Sequence, residues 1–478
     1  MTKLFGTDGM RGEAGRFPLD AATMRTVGSS LAAHLSEKHE GRAAVIVTGR
    51  DTRESGVWLE HALIAGAAAA GAVCKSAGVI TTPGVAFLAR TLPADAGVVI
   101  SASHNPYQDN GVKIFSPSGR KLEEATERLI EADILARMVE PNMGTEVNSL
   151  LANDSSEAAG LRSRYLDFLA DEIGHDLSLD SLTMVTDCAN GAASQLAPEL
   201  FSRLGARVIA INDRPDGRNI NRDSGSLHIG GLQRRVLHER ADLGVAFDGD
   251  ADRALFVDAN GHFIDGDAVM WVLAKYLDDR GELKQGIVVA TVMSNIGLEI
   301  ALRSRGLKLV RTKVGDKYVL DELIHTGATL GGEQSGHLIF PRLGLAGDGM
   351  VTTLCLLRAM FDEGKRRAIA LDYGGHKERG NLCVRAKQLH ELMEGFERYP
   401  QVLVNVRVRE KRPFDEIQSV QSVVQETQSK LDDRGRLLLR YSGTEPLARI
   451  MIEGENQSEI EAYANRMAET IREAIGSA

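Results

Sequence analysis

The run Ala43-Ala44-Val45-Ile46-Val47-Thr48, followed by the loop Gly49-Arg50-Asp51-Thr52-Arg53-Glu54-Ser55-Gly56, decides the fold. Its apolar, β-branched stretch reads as a buried strand, and the loop gives way to an apolar-periodic helix reaching about Ala70. A second strand-like run, Ala72–Ser76, completes a βαβ unit. The same order recurs at Leu182–Asp187, loop Cys188–Ala193, helix Gln195–Leu204 and strand Ala206–Ile211. It recurs again at Gly286–Thr291, loop Val292–Ile296, helix Gly297–Arg305 and strand Leu307–Arg311. Three copies predict three related α/β domains.

Each copy leads, some tens of residues on, to another apolar strand that ends in a polar motif. Val98-Val99-Ile100 runs into Ser101-Ala102-Ser103-His104-Asn105-Pro106, and Leu243–Phe247 into Asp248-Gly249-Asp250-Ala251-Asp252-Arg253. The third strand, Thr329–Gly332, runs into Glu333-Gln334-Ser335-Gly336-His337. Open α/β sheets bind ligands beyond the carboxyl ends of their strands, so three domains can each lend one motif to a shared cleft.

After about Ala370 the pattern changes. Strands at Val402–Val408, Arg436–Arg440 and Arg449–Glu453, with helices at Gln418–Lys430 and Ser458–Ala474, predict an α+β tail carrying Arg440-Tyr441-Ser442-Gly443-Thr444-Glu445-Pro446. Asp362–Lys387 is charged, breaks at Tyr373-Gly374-Gly375, and reads as a linker or exposed insertion. The expected fold class is therefore α/β, with three related mixed α/β domains at residues 1–152, 153–254 and 255–368 and a C-terminal α+β domain at 369–478.

A chain of 478 residues exceeds one hydrophobic core, which fits several domains. Its 43% hydrophobic and 26% charged residues are those of a soluble globular protein. The net charge of −10 argues against general nucleic-acid binding, though a few cations converging in a cleft can still hold an anionic substrate. Cys74, Cys188, Cys355 and Cys383 are far apart with no CxxC pair, which argues against a disulfide framework or structural zinc and fits a reducing cytoplasm. Met1–Asp8 holds no apolar signal region, and Ala62–Cys74, the most apolar stretch, is too short to span a bilayer. The expectation is a cytoplasmic protein with no membrane or nucleic-acid partner.

Asp248, Asp250 and Asp252 put three carboxylates at alternate positions after a strand. They repel one another unless a divalent cation neutralises them, and hard oxygen ligands suit Mg²⁺. The loop is not an EF-hand, since its sixth position is Arg253 and its twelfth Ala259. The bland alternative is a solvated acidic turn. Ser103 at a strand end can carry a phosphoryl group if a metal and donors surround it; otherwise it belongs to a Ser/Asn-rich turn. Lys113, His104 and His337 compete for proton transfer. Glu333, Ser335 and His337 suit sugar hydroxyls. Arg440 to Thr444 combine a guanidinium, two hydroxyls and a close-approach glycine, as a phosphate cradle requires, with Arg449 as a second cation. A Gly-x-Ser-x-Gly elbow and a Walker loop are both absent, which argues against a serine hydrolase and a nucleotide kinase.

Together with Phe5-Gly6-Thr7-Asp8-Gly9-Met10-Arg11-Gly12 and Asn110-Gly111-Val112-Lys113, these motifs resemble those of the α-D-phosphohexomutases, in family order across nearly the whole chain. The resemblance implies four domains around a central cleft, the last a cap. It implies that Ser103 is a phosphoserine and that Asp248, Asp250, Asp252 and the phosphoserine oxygen hold one Mg²⁺ per subunit. Arg11, Lys113 and Arg253 would surround the transferring phosphoryl group, and Glu333 and Ser335 would hold sugar hydroxyls. Arg440, Ser442, Gly443 and Thr444 would bind the non-reacting phosphate. A phosphosugar substrate, a hexose 1,6-bisphosphate activator and room for a homodimer belong to the same expectation. Gln334 looks like the glucosamine branch, whose reaction interconverts the 6- and 1-phosphates of glucosamine; Ala251 departs from the glycine common there. The runner-up is the same chemistry on mannose or glucose phosphate. A phosphatase-like hydrolase would have no use for the tail cradle, and a sugar-phosphate sensor none for the serine, metal triplet and lysine.

Overall fold

Strands that read as unbroken apolar runs are those covered on both faces. The computed structural model describes residues 3–6, 8–38, 41–137, 156–372 (backbone alone for 365–372), 388–443 and 445–476. The first sheet holds β1 (Phe5–Gly6), β2 (Gly9–Glu13), β3 (Val45–Arg50), β4 (Val73–Val79), β5 (Ala96–Ile100) and β6 (Asp109–Phe115), in the order β1-β2-β6-β5-β3-β4. The second holds β7 (Thr183–Asp187), β8 (Arg207–Ile211), β9 (Leu243–Phe247), β10 (Ala254–Asp258) and β11 (Phe263–Ile264), in the order β11-β10-β9-β7-β8. The third holds β12 (Ile287–Thr291), β13 (Lys308–Thr312), β14 (Leu330–Gly332) and β15 (Leu338–Ile339), ordered β13-β12-β14-β15. In the tail, β16 (Gln401–Arg407), β17 (Arg436–Tyr441) and β18 (Leu447–Glu453) form a sheet ordered β16-β18-β17.

One scheme underlies the first three sheets. The opening strand of each repeat (β3, β7, β12) is central and pairs in parallel with the next strand on one side and with β5, β9 or β14 on the other. That last strand then turns back into an antiparallel partner, β6, β10 or β15. The polar motifs fill these three equivalent returns. The expected repeat is thus present, with an added strand the apolar pattern did not reveal.

Two of the expected edges fall within elements of the structure, one in a sheet and one in a helix. β10 pairs with β9 over its whole length and β11 pairs with β10, so the second sheet runs past the break expected at 254/255. The helix Gly349–Asp372 carries through the first part of the stretch read as a linker, and the break expected at 368/369 falls inside it. Met360 and Phe361 are buried there, and Asp362 accepts a hydrogen bond from Tyr276 at 2.6 Å, so the charged residues continue a packed helix. Residues 373–387 lie outside the described residues, as does the edge at 152/153.

One apolar cluster runs from Val47 and Phe115 through Phe247 and Trp271 to Leu357, joining the first three sheets. The tail has its own, around Val406, Val420, Ile450, Ile460, Ala464 and Ile471. Among the described residues Cys74, Cys188 and Cys355 are free thiols, and no helix is long and apolar enough to cross a membrane.

Behind the first sheet the helices Ala21–Lys38 and Glu54–Ala69 cross with their backbones in contact. A Cβ on Gly28 would lie 2.0 Å from the Leu63 carbonyl oxygen, and one on Gly66 2.0 Å from that of Arg25. Rigid backbone cannot yield as a side chain would. Gly28→Ala is therefore expected to cost about 1–3 kcal/mol, read as a lowered midpoint in chemical denaturation.

Candidate active site

Ser103 follows β5 with φ at 51°, a left-handed conformation that a non-glycine residue keeps only when its surroundings enforce it. Its amide donates to Ser101 Oγ (2.9 Å), and Ser101 Oγ donates to Asp51 (2.7 Å). Its carbonyl accepts from Arg53 Nη2 (2.9 Å) and Asn221 Nδ2 (2.8 Å). Arg53 is fully buried, pairs with Asp51 at 2.9 Å, and also donates to the carbonyls of Asn105, Pro106 and Asp109. One guanidinium thus fixes the whole loop. Sequence reasoning quoted Arg53 as part of a polar loop but gave it no task, and it passed over Asn221; a guanidinium between Asp51 and a strand end was the available signal.

Held this way, Ser103 Oγ donates to Asp248 Oδ2 at 2.6 Å. The domains approach closely because Gly249 has no side chain: a Cβ there would stand 2.5 Å from the Ser103 carbonyl oxygen. Asp248, Asp250 and Asp252 are buried and present ligand atoms within 4.8 Å of one another. Ala251 takes φ 54°, which glycine adopts without strain and alanine does not.

Around the triplet stand cations from the first domain. Lys113 on β6 puts Nζ 3.0 Å from Asp250, 3.4 Å from Asp252 and 3.3 Å from Asp8. Burial works to lower its pKa, but Asp250, Asp8 and Asp252 hold the ammonium well above the usual range. Arg11, opposite Gly111 in the β2–β6 pairing, is bound to Asp8. Lys121 spans Asp8 (2.6 Å) and Asp316 (2.6 Å), tying the first domain to the third. Thr82 donates through its backbone (3.0 Å) and hydroxyl (2.6 Å) to Asp250. Asp8, Thr82 and Lys121 were not singled out from the sequence.

Electrostatics show what the cluster wants. Burial, then Asp252 and Asp250, push the Asp248 carboxyl well above its ordinary range. Burial also works to raise Asp252, yet Lys113 and His337 keep it well below. Asp250 Oδ1 and Asp252 Oδ1 are buried without hydrogen-bond partners, as are Arg11 Nε and Arg253 Nε. Unmatched acceptors beside unmatched donors suit a hard cation on one side and an anion on the other. His104 Nδ1 lies 3.3 Å from Ser103 Oγ; burial, then Arg253 and Arg11, bring its ring down to about 4, so it is neutral.

In the third return Ser335 Oγ donates to Glu333 (3.2 Å), which also accepts from Gly315 N (3.2 Å). His337, expected among the sugar contacts, lies beside Asp252 (3.6 Å) and Asp316 (4.0 Å) in the lining of the cleft, under Gly347, where a Cβ would touch its ring at 2.4 Å. It backs the triplet. Gln334 turns to Asp265.

The tail forms a separate cluster. Arg440 on β17 sits directly opposite Arg449 on β18. Arg449 donates to Ser442 Oγ (3.3 Å) and Glu445 (2.9 Å) and keeps a buried Nε without partner. Lys411, unnoticed in the sequence, donates to the Ser442 carbonyl at 2.7 Å. Gly443 has open space where a side chain would be, and Thr444 lies outside the described residues. Among the described residues no hydrogen bond or ion pair joins this cluster to the triplet.

Four sheets in this order, with a buried carboxylate triplet and cationic surround, are matched by known proteins. Family models for phosphoglucomutase/phosphomannomutase cover the chain in sequence: α/β/α domain I at residues 2–139, domain II at 163–261, domain III at 265–372 and the C-terminal domain at 403–470. The chain belongs to the phosphoglucomutase/phosphomannomutase family. Among its relatives is a phosphoglucosamine mutase of Solibacter usitatus (strain Ellin6076), 44% identical over 473 residues and covering 99% of both chains. The phosphoglucosamine mutase of Mycobacterium ulcerans (strain Agy99) is 44% identical over 478 residues and covers 100% of both. Of solved structures, a phosphoglucomutase/phosphomannomutase family protein from Burkholderia thailandensis aligns with TM-score 0.75 and 22% identity, over 99% of this chain and 97% of that one. Aspergillus fumigatus N-acetylphosphoglucosamine mutase, in complex with GlcNAc-6P and magnesium, aligns at 0.60 and 19% over 99% and 96%. At these identities the structures bear on the fold alone.

Removing the Arg53 side chain takes the charged partner from buried Asp51 and a donor from four loop carbonyls, of which Ser103 and Asn105 keep Asn221. Arg53→Ala is expected to cost roughly 3–5 kcal/mol of stability and to open the 101–109 loop to proteolysis, checked by denaturation and by timed digestion with peptide mapping.

Proposed function

We propose that the chain interconverts glucosamine 6-phosphate and glucosamine 1-phosphate, an isomerisation by phosphoryl transfer through Ser103 and a 1,6-bisphosphate. The observation that carries it is Ser103 Oγ, 2.6 Å from Asp248 at the meeting of two domains, among buried carboxylate oxygens and guanidinium nitrogens that lack hydrogen-bond partners. Full-length relatives named phosphoglucosamine mutase support the amino sugar over mannose or glucose.

In the first half-reaction the sugar O1 attacks phosphorus on phosphorylated Ser103. The O1–P bond forms, the Oγ–P bond breaks, and the O1 proton ends on Oγ. In the second, Oγ attacks the 6-phosphate after the bisphosphate has turned end for end. The Oγ–P bond re-forms, the O6–P bond breaks, and O6 takes the proton. Asp248, Asp250 and Asp252, with an oxygen of the phosphoserine, would hold Mg²⁺, which spreads charge away from the phosphoryl oxygens. Arg11 and Arg253 offer their unpartnered Nε donors to those oxygens, and Lys113 keeps the triplet's net charge low beside them. Glu333 and Ser335 hold sugar hydroxyls. Arg440, Arg449, Ser442 and the open backbone at Gly443, with Thr444, grip whichever phosphate is not reacting. A hexose 1,6-bisphosphate can phosphorylate Ser103 directly, which makes it the natural activator, and the setting is cytoplasmic metabolism of amino sugars feeding cell-wall precursors.

Wild-type protein given glucosamine 6-phosphate is expected to yield glucosamine 1-phosphate by ³¹P NMR; stoichiometric inorganic phosphate instead would make it a hydrolase. Ser103→Ala should lower turnover by at least about a thousandfold, since the carrier oxygen is gone. Chelation should abolish activity and added Mg²⁺ restore it. Faster turnover of mannose 6-phosphate would move the substrate to the neighbouring branch.

A further inference from the structure

Asp265 stands outside the cluster described above, yet one of its oxygens joins two parts of the molecule that must act together. It is the N-cap of the helix Gly266–Asp279, with Oδ1 accepting from Ala268 N at 3.1 Å. Its side chain is 5% exposed, so the remaining oxygen has to be satisfied by protein. Gln334 Nε2 donates to that oxygen at 3.3 Å, and Arg398 Nη1 forms an ion pair with it at 3.3 Å.

The donors come from different places. Gln334 lies between Glu333 and Ser335 in the sugar loop, and its carbonyl accepts from Gly266 N at 3.0 Å. No side chain fits at Gly266, where a Cβ would come 2.2 Å from the Glu333 carbonyl oxygen, so loop and helix end press together. Arg398 lies just before β16, in the segment that enters the tail sheet. The next residue, Tyr399, is clasped by Asn295, which accepts from its amide (3.0 Å) and donates to its carbonyl (3.0 Å). Behind it, Trp271 and Lys275 on the same helix donate to the carbonyls of Glu394 and Leu392 at 3.2 and 2.7 Å. The strap into the tail domain and the sugar loop therefore rest on one helix terminus and compete for one oxygen.

We infer that Asp265 is a positioning residue that couples the sugar loop at 333–337 to the strap at 395–400, and through it to the tail sheet bearing Arg440 and Arg449. This rests on the functional reading above. When Glu333 and Ser335 close on a sugar, Gln334 moves with them, and the share of the Asp265 oxygen left to Arg398 changes. The grip on the hydroxyls and the set of the phosphate cradle then change in step, which keeps a bisphosphate in the cleft between its two transfers. It also gives Gln334 a task other than touching the sugar.

Asp265→Asn keeps an oxygen for the helix cap while removing the charge that draws Arg398; Arg398→Gln removes the same contact from a half-exposed position that tolerates change. Each is expected to raise bisphosphate released per turnover by roughly twofold to fivefold, the scale of a partly exposed charged contact. The double variant should be no worse than Asp265→Asn alone. Hydrogen exchange read by mass spectrometry provides the second measurement. Glucosamine 6-phosphate should slow exchange at both 333–337 and 395–401 in the wild type, and at 333–337 alone in Asp265→Asn. Unchanged release, additive effects in the double variant, or protection of the strap that survives Asp265→Asn would overturn the coupling. A wild type that protects both segments but makes no glucosamine 1-phosphate would leave the coupling standing and overturn the functional reading.

Discussion

Three carboxylates buried within reach of one another cannot all stay charged without positive charge close by. Much of the molecule is arranged around that constraint. Asp248, Asp250 and Asp252 come from one hairpin return, and among the described residues of their own domain Arg253 is the cation paired with them. The first domain brings Lys113 and the Thr82 donors across, and the third brings His337. The domains are thereby bound to one another at the triplet as much as by their shared apolar core, and glycines at 249 and 347 mark where backbone had to come close enough for this to work.

Repetition makes the arrangement economical in sequence. Each of the first three sheets uses a central strand, two parallel neighbours and an antiparallel return, and the return always carries the chemistry. A serine, three aspartates and a glutamate with a serine thus occupy equivalent turns. The tail departs from the scheme. Its antiparallel sheet and separate core carry a cluster of a different kind, built from cross-strand arginines.

The repeat, the motifs and the tail's separate character were legible in the sequence because each depends on local pattern: apolar runs of strand length, or charged residues at fixed spacing. The returning strands β6, β10 and β15 were harder, since Asp109–Phe115 mixes Asp, Asn, Gly and Lys with apolar residues, and β15 is only Leu338–Ile339. Asp362 looked like linker because charged residues on a helix's outer face resemble charged residues in a loop. The ion pair of His337 with Asp252, across the turn at Gly336 (φ 89°), was not legible, because it joins the returns of two different sheets. Asn221 and Lys121 act across domains and Arg53 across the first domain, on partners 50 to nearly 200 positions away, and no local pattern shows that.

The facing guanidiniums of Arg440 and Arg449 have a thermodynamic consequence for the tail. Like charges directly opposite in an antiparallel sheet oppose its formation, and here burial and Arg449 together lower the pKa of Arg440. On the proposed reading of this cluster as a phosphate cradle, an anion between them would turn that repulsion into attraction and hold the tail sheet more firmly. By mass action a ligand a hundredfold above its dissociation constant adds about 2.7 kcal/mol to whatever folded unit binds it. Since the tail has its own core, that gain would fall on the tail first, and the supply of phosphosugar would become a term in how long this part of the chain survives between encounters with proteases.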